Sequence, residues 1–257
     1  MDEPSFDDIV VIPAATVVIF RHAAEGGPPE LLMVQRAKEM RFAGGAAVFP
    51  GGRVDQADSV LAATLAPDAN HDLVAAKIAG VRETLEETGL AIAMGRPVSA
   101  DEARDARALL LEQGLLAPVL ERHGWHLELD RLVPFARWCP RWDGAFDTRF
   151  FLADLGTGAV DIAVDATENT RLFWTSAANA LAMADAGEIS VIFPTRRNLD
   201  RLAQFASYGE AVTHAETTPI RTISPLREER EGVMHLTIPE GLGYPVTSQR
   251  MDTVRRG

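Results

Sequence analysis

Cysteine is nearly absent: Cys139 is the only one in 257 residues. No intramolecular disulfide can form, so neither a disulfide scaffold nor a cysteine-rich zinc module is available, and a reducing cytoplasm is the expected location. Positive charge is also short. The 25 Lys and Arg are outnumbered by 37 Asp and Glu, leaving a formal charge of -12 at pH 7 and a pI near 5.0. Such an excess repels phosphate backbones and anionic lipid surfaces unless a local basic patch or a bound cation intervenes, which argues against nucleic-acid and membrane partners. Long apolar runs are missing as well. The longest, residues 9–20, contains Pro13 and is well short of the roughly 20 residues that a membrane-spanning helix needs. It follows Asp2, Glu3, Asp7 and Asp8, where an export signal would be basic. There is no internal repeat and no low-complexity tract.

What is present suits a globular chain. With 47% hydrophobic and 24% charged residues, the length supports one large domain or two small ones. No linker is strong enough to split it, so a single domain over residues 1–257 is expected. Residues 15–20 and 31–36 are β-branched or alternating, with a polar Pro- and Gly-containing stretch between them, and predict a hairpin or meander. A short strand at residues 46–49 stops at Pro50-Gly51-Gly52, a turn that lets the backbone approach a ligand with no side chain in the way. Val74, Ile78, Val81 and Leu85 recur at helical spacing and predict a helix over residues 71–88, stopped by Gly89. Helices are further expected at residues 100–112, 117–122, 176–186 and 196–206, and the Ala-rich stretch around Ala62 is compatible with a short one. Strands are expected near residues 132–138, 146–152 and 171–174. This order suits a mixed sheet with helices on both faces. From residue 213 the chain reads as a peripheral extension with one strand-like piece at residues 234–238.

The informative residues are Arg82, Glu83, Glu86 and Glu87. On a helix, Glu83 and Glu87 lie one turn apart with Glu86 beside them, on the face opposite the apolar stripe, and Ala76, Ala79 and Gly80 leave room one turn earlier. A solvated acidic face is the plain alternative. However, Glu83 and Glu87 form a like-charge i,i+4 pair, the acids sit where the helix dipole disfavours them, and Arg82 precedes Glu86 in the weaker orientation. Mg²⁺ or Mn²⁺, held by carboxylates, waters and substrate phosphates, would relieve that crowding. The six histidines show no metal-ligand spacing apart from His123/His126, which has no acidic or cysteine partner nearby. Cys139 reads as a buried thiol, and Ser176 and Ser190 sit in no nucleophile elbow.

The run Arg82-Glu83-Thr84-Leu85-Glu86-Glu87-Thr88-Gly89-Leu90 resembles the second half of the Nudix box, G-x5-E-x7-R-E-U-x-E-E-x-G-U with U aliphatic, and Pro50-Gly51-Gly52 resembles its start. Thr84 departs at the first U. From Gly52 to Arg82 the chain is about 16 residues longer than that pattern, the extra residues lying between Gln56 and His71. Asp58 falls six after Gly52, where the family has Glu, and across this insertion no role is carried to it. The resemblance implies an α/β fold, a Nudix-type α/β/α sandwich with a mixed sheet and extra inserted helices, one insertion at about residues 98–125 and the C-terminal extension at about 210–257. It implies hydrolysis of a diphosphate linked to another moiety with Mg²⁺ or Mn²⁺. Glu83, Glu86 and Glu87 map onto the metal-binding and water-activating glutamates, Arg82 would orient Glu86, and a carbonyl at Gly51 or Gly52 would complete the metal shell. Glu168, next to Asn169, matches a loop glutamate that serves some members as an extra metal ligand or base; a solvent-facing loop acid is the alternative. A homodimer is compatible with the family.

Ahead of the box, Leu32-Met33-Val34-Gln35-Arg36-Ala37, then Arg41, Gly45 and Phe49-Pro50-Gly51-Gly52 resemble the signature of Nudix coenzyme A diphosphatases, L-L-T-x-R-[SA]-x3-R-x3-G-x3-F-P-G-G, with Met33 and Val34 as departures. Residues 146–152 are also similar to a segment of that branch. The implied substrate is CoA or an acyl-CoA, cleaved to 3′,5′-ADP and a 4′-phosphopantetheine product. Arg36, Arg41, Gly45 and Phe49 would then bind substrate, the arginines as phosphate partners. Two other readings stand beside it: a pyrophosphatase of ADP-ribose, a nucleotide sugar or another nucleoside diphosphate, and a non-catalytic Nudix-like ligand sensor.

Overall fold

The computed structural model describes residues 9–23, 26–38, 43–155 and 169–254. Strand β1 (Ile12–Arg21) lies at the centre. Its side chains alternate, as the two-residue period of a strand requires: Ala15, Val17 and Ile19 enter one core cluster, Val18 and Phe20 the other. It pairs in parallel with β6 (Phe146–Asp154) along nine positions, from Ile12↔Phe146 to Phe20↔Asp154. On its other edge it has two antiparallel partners. Its end pairs with β2 (Glu30–Arg36), as in Phe20↔Leu31. Its beginning pairs with β4 (Gly51–Arg53), as in Thr16↔Gly51. Between them Val17 N donates to Pro50 O at 2.9 Å, so the turn expected at Pro50-Gly51-Gly52 is set into the middle of the sheet.

The sheet is mixed. Strand β3 (Ala47–Val48) and strand β7 (Asn169–Ser176) both pair antiparallel with β2, β5 (Val133–Trp138) pairs antiparallel with β6, and β8 (Thr222–Ile223) pairs parallel with β5. Helices α1 (Gln56–Leu65), α2 (His71–Thr88), α3 (Ala100–Gln113) and α4 (Leu116–His123) cover the face of Ala15, Val17 and Ile19. Helices α5 (Ala177–Asp185), α6 (Phe193–Leu202) and α7 (Tyr208–Thr217) cover the face of Val18 and Phe20. The result is the expected α/β/α sandwich. No helix among the described residues is long and apolar enough to cross a membrane.

Local chemistry fixes the helix that matters most. The Asn70 side chain accepts from Leu73 N at 3.1 Å at the start of α2, and Gly89 closes it at φ 77°, a left-handed conformation that favours glycine. Val74, Ile78, Val81 and Leu85 are buried as expected. The room expected above Ala76, Ala79 and Gly80 does not exist: all three are buried, and a β-carbon on Gly80 would lie 2.9 Å from Val17 Cγ2. Small residues there let α2 press onto β1 and leave no ligand space.

Two further expectations are corrected. Helix α6 begins at Phe193 rather than residue 196, because Pro194 in its first turn is pre-set for helical φ, and α7, capped by Ser207 on Glu210 N at 3.2 Å, follows it. The C-terminal extension is also less peripheral than its composition implied. It forms β9 (Leu226–Arg230), β10 (Val233–Thr237) and β11 (Ser248–Arg250), and it sends Ile238, Leu242 and Tyr244 into the core beside α6. The Tyr244 hydroxyl donates to Asn198 Oδ1 at 2.8 Å and accepts from Trp138 Nε1 at 3.1 Å, so its polar end is satisfied inside an apolar layer.

Candidate active site

Arg82 is the hub of the site. Although charged, it is only 3% exposed, and its guanidinium fork spends its donors on acids and backbone from three elements. Nε donates to Asp58 Oδ1 at 3.0 Å and Nη2 to Asp58 Oδ2 at 3.0 Å. Nη2 also donates to Arg53 O at 2.9 Å. Nη1 is shared between Glu83 Oε1 at 3.0 Å and Glu86 Oε2 at 3.2 Å. Only arginine offers this planar, multi-donor geometry. Burial alone would lower its pKa, but the Asp58 hydrogen bonds and the charges of Glu83, Asp58 and Glu86 outweigh it and hold the group charged.

Asp58 is a residue to which sequence spacing alone assigns no role. It sits in the first turn of α1, 2% exposed, and closes a capping box with Asp55 by accepting from Asp55 N at 2.9 Å. The short stretch from Gly52 to Asp58 stays compact. The extra residues form the rest of α1 and the return to α2, so the insertion is looped outward and Asp58 remains against Arg82.

The three glutamates do not share one open face. Glu87 turns inward, 5% exposed, accepting from Gly51 N at 3.0 Å and from Asn169 Nδ2 at 3.3 Å. Glu83 lies against the turn so closely that a β-carbon on Gly52 would overlap its carboxyl group. Gly51 is needed for a second reason: at φ 153°, any β-carbon would collide with Ala15 O. Burial pushes the Glu83 carboxyl up to about 8; Arg82 opposes the rise, and the charges of Glu86 and Glu87 add to it. Glu86 is raised too, first by burial, against the pull of Arg82, with Asp58 and Asp55 adding.

Among the described residues, no group of three His, Cys, Asp or Glu stands ready-made as a cation cage. The donor set nonetheless fits a hard divalent ion. Arg82 uses one oxygen each of Glu83 and Glu86, and the glycine turn keeps side chains out of the space beside Glu83. Oxygen-only, carboxylate-rich sites of this kind suit Mg²⁺ or Mn²⁺.

The other sequence candidates are placed as follows. Arg36 ends β2 opposite Asn169, with its Nε buried and without a hydrogen-bond partner among the described residues. Gly45 sits at φ 75° in the turn that brings the chain back to β3, with its N donating to Ala37 O at 3.3 Å. Phe49 does not line an opening: it is 2% exposed and belongs to the core cluster of Phe173 and Ala47, so what it does for the turn is packing. Arg41 and Glu168 lie outside the described residues. Cys139 is a buried thiol, pushed up by burial and the neighbouring Asp147. His123 stacks on Trp125 with ring centres 4.7 Å apart. Asn169, which sequence reasoning noticed only as a neighbour of Glu168, is the residue that it missed, and a bulge in β7 hid it.

Gly52→Ala is expected to reduce turnover at least about a hundredfold, the scale on which small displacements of reacting groups act. The fold should persist, since only one carboxyl group has to move. Equal activity in the alanine variant and wild type, with matching melting curves, would contradict the close approach.

No protein-family model and no curated protein matches the chain. Among solved structures it is similar to a Nudix hydrolase from Alicyclobacillus acidocaldarius, at 29% identity and a TM-score of 0.67, over 80% of this chain and 97% of that one. It also aligns with a MutT protein from Methanosarcina mazei, at 18% identity and TM-score 0.42, over 77% and 96% of the two chains. A C. elegans Ap4A hydrolase aligns at 16% identity and TM-score 0.37, over 79% and 93%. The mixed sheet between two helical layers is the Nudix fold.

Proposed function

We propose that this phosphoric anhydride hydrolase with the Nudix fold cleaves the diphosphate of coenzyme A or an acyl-CoA with Mg²⁺ or Mn²⁺, releasing 3′,5′-ADP and a 4′-phosphopantetheine product. One observation carries the reading. The β2–β7 pairing sets Arg36, whose buried Nε has no hydrogen-bond partner among the described residues, opposite Asn169, which holds Glu87, so a cation suited to phosphate enters the sheet one strand pair away from the carboxylate cluster. The spacing from Arg36 through Arg41 and Gly45 to Phe49-Pro50-Gly51-Gly52 is what singles out CoA.

The cation would be held by Glu83, Glu86 and Glu87 with a carbonyl of Gly51 or Gly52. When bound, it would screen the diphosphate, polarise a phosphoryl oxygen and lower the pKa of the attacking water. The chain's own residues do the rest. Arg82 fixes Glu83 and Glu86, Gly51 N fixes Glu87, and one of these ionised carboxylates would take the proton of the attacking water. Arg36 and Arg41 would receive the phosphates, making one electropositive cleft in a protein of net charge -12.

The test is incubation with CoA, acetyl-CoA, ADP-ribose and nucleotide sugars, with Mg²⁺, Mn²⁺ or a chelator, read by chromatography. CoA should give both products, a chelator should abolish them, and Arg36→Ala should reduce kcat/KM for CoA at least about tenfold. Turnover of ADP-ribose or a sugar nucleotide with CoA untouched, insensitive to Arg36→Ala, would replace CoA as substrate. Hydrolysis of nothing, with Glu86→Gln unchanged from wild type, would make the protein a ligand sensor.

A further inference from the structure

Strand β7 contains an irregularity whose position is informative. Phe173 faces the α5–α7 layer, and Leu172 and Trp174 face the α1–α4 layer; Arg171 lies over the Phe173 ring. Strict alternation would therefore place Asn169 with Arg171 and Phe173, away from the carboxylates. The pairing breaks that alternation. It runs Gln35↔Arg171 and then Arg36↔Asn169, so Thr170 is an extra residue, held by its Oγ1 donating to Gln35 O at 3.2 Å. A bulge of this kind re-aims the next side chain. Here it swings Asn169 to the α2 side, where Nδ2 donates to Glu87 Oε1 at 3.3 Å.

Asn169 is 2% exposed, and its other amide atom, Oδ1, is buried without a hydrogen-bond partner among the described residues. On the partner strand, alternation from Leu32, which packs in the α1–α4 layer, turns Arg36 to the same side, and its buried Nε likewise has no hydrogen-bond partner among the described residues. One unmatched acceptor and one unmatched donor thus occupy opposite positions of a single strand pair. Buried polar atoms carry a desolvation penalty until paired. The amide cannot escape by flipping, because its carbonyl would then face the Glu87 carboxylate. Glu87 cannot readily turn away either, since its Oε2 is held by Gly51 N at 3.0 Å.

We propose that Asn169 is a positioning residue that couples Arg36 to Glu87: in the loaded site Arg36 Nε donates to Asn169 Oδ1 while Nδ2 keeps its hold on Glu87, so the anion drawn to Arg36 sets the orientation of Glu87. The proposal rests on the reading that Arg36 meets a substrate phosphate and that Glu87 serves the reacting centre. It assigns the bulge a purpose, since without Thr170 neither contact of Asn169 forms.

A double-mutant cycle of Arg36→Lys and Asn169→Ala tests it on the full chain, with two readouts. The first is hydrolysis. Asn169→Ala should lower kcat about tenfold or more with little change in KM, and the double variant should be little worse than the poorer single one, as for residues acting through one contact. The second needs no turnover: calorimetric binding of methylenediphosphonate with Mg²⁺ should show the same less-than-multiplicative loss. Melting temperatures of the free protein should show no such coupling, which a merely structural asparagine would not reproduce. If both single variants weaken probe binding and their effects multiply in the double variant, the coupling is refuted while the phosphate role of Arg36 stands. If Arg36→Lys binds the probe as wild type does, the underlying reading and the coupling both fall. Asn169→Asp, which keeps the side-chain volume, replaces Asn169→Ala if the latter does not fold; it should be impaired at least as strongly, and wild-type kcat in that variant would equally overturn the proposal.

Discussion

Asp58→Ala is expected to destabilise the protein by about 3–5 kcal/mol, the range for stranding one partner of a buried ion pair. The argument is one of compensation. Arg82 is 3% exposed, and Asp58 takes both its Nε and one Nη2 hydrogen bond. Asp58 itself is only 2% exposed, so bulk solvent does little to screen the charge that its loss would strand. Asp55 makes the control. Its carboxylate is 3.5 Å from Arg82 Nη2 but is 57% exposed, so losing that ion pair should cost under about 1 kcal/mol. Because Asp55 also begins α1 with the capping box, Asp55→Asn is the cleaner substitution. Urea unfolding at pH 7 measures both. Turnover should fall with Asp58→Ala beyond the loss of folded protein, about a hundredfold, since a loosened Arg82 releases Glu83 and Glu86 together. A destabilisation below 1 kcal/mol with full activity per folded molecule would mean that α1 is an ornament rather than part of the site.

The contrast between Asp58 and the α2 glutamates shows which parts of the site were legible in the sequence. Helix α2 could be read because cap, apolar period and terminal glycine all agree locally, and Arg82 through Glu87 lie within one and a half turns of it. Asp58 could be seen but not assigned: its partner is 24 positions away, and sequence spacing cannot tell an insertion that displaces a residue from one that loops outward behind it. Asn169 was hidden by the bulge at Thr170, where alternation assigns the wrong face. The supposed room beside Gly80 failed for the opposite reason, because a small residue on a helix signals close approach as readily as an opening. Tyr244 was missed because its partners, Trp138 and Asn198, are 106 and 46 positions away, and nothing in the Pro- and Glu-rich composition around it marks a core residue.

Glu83→Gln is expected to leave the protein more stable and nearly inactive. The Glu83 carboxyl is pushed up from 4.5 to about 8 by burial beside Glu86 and Glu87, so the folded protein holds a proton there that the unfolded chain releases. The stability gained from that proton is full below about pH 4.5 and is lost as pH rises through about 8. In a chelator, wild type should therefore lose stability across this window, by an amount on the order of a few kcal/mol. Glu102, held down to about 2 by Arg96 and by hydrogen bonds from Ser99, acts with the opposite sign, but only at pH values below this window. Glutamine cannot ionise, so the variant should show a shallower decline, the remainder coming from Glu86, which is also raised. At pH 8 it should melt above metal-free wild type. Mg²⁺ should restore wild type by favouring the ionised carboxylate and should do less for the variant. Turnover should fall at least about a hundredfold, as when a group that stabilises developing charge is removed. Melting temperature against pH, with and without Mg²⁺, decides the matter: a metal-free wild type that grows more stable between pH 5 and 8, or a glutamine variant less stable at pH 8, would show that the Glu83 charge is already compensated within the chain and that the site has no electrostatic need for a cation.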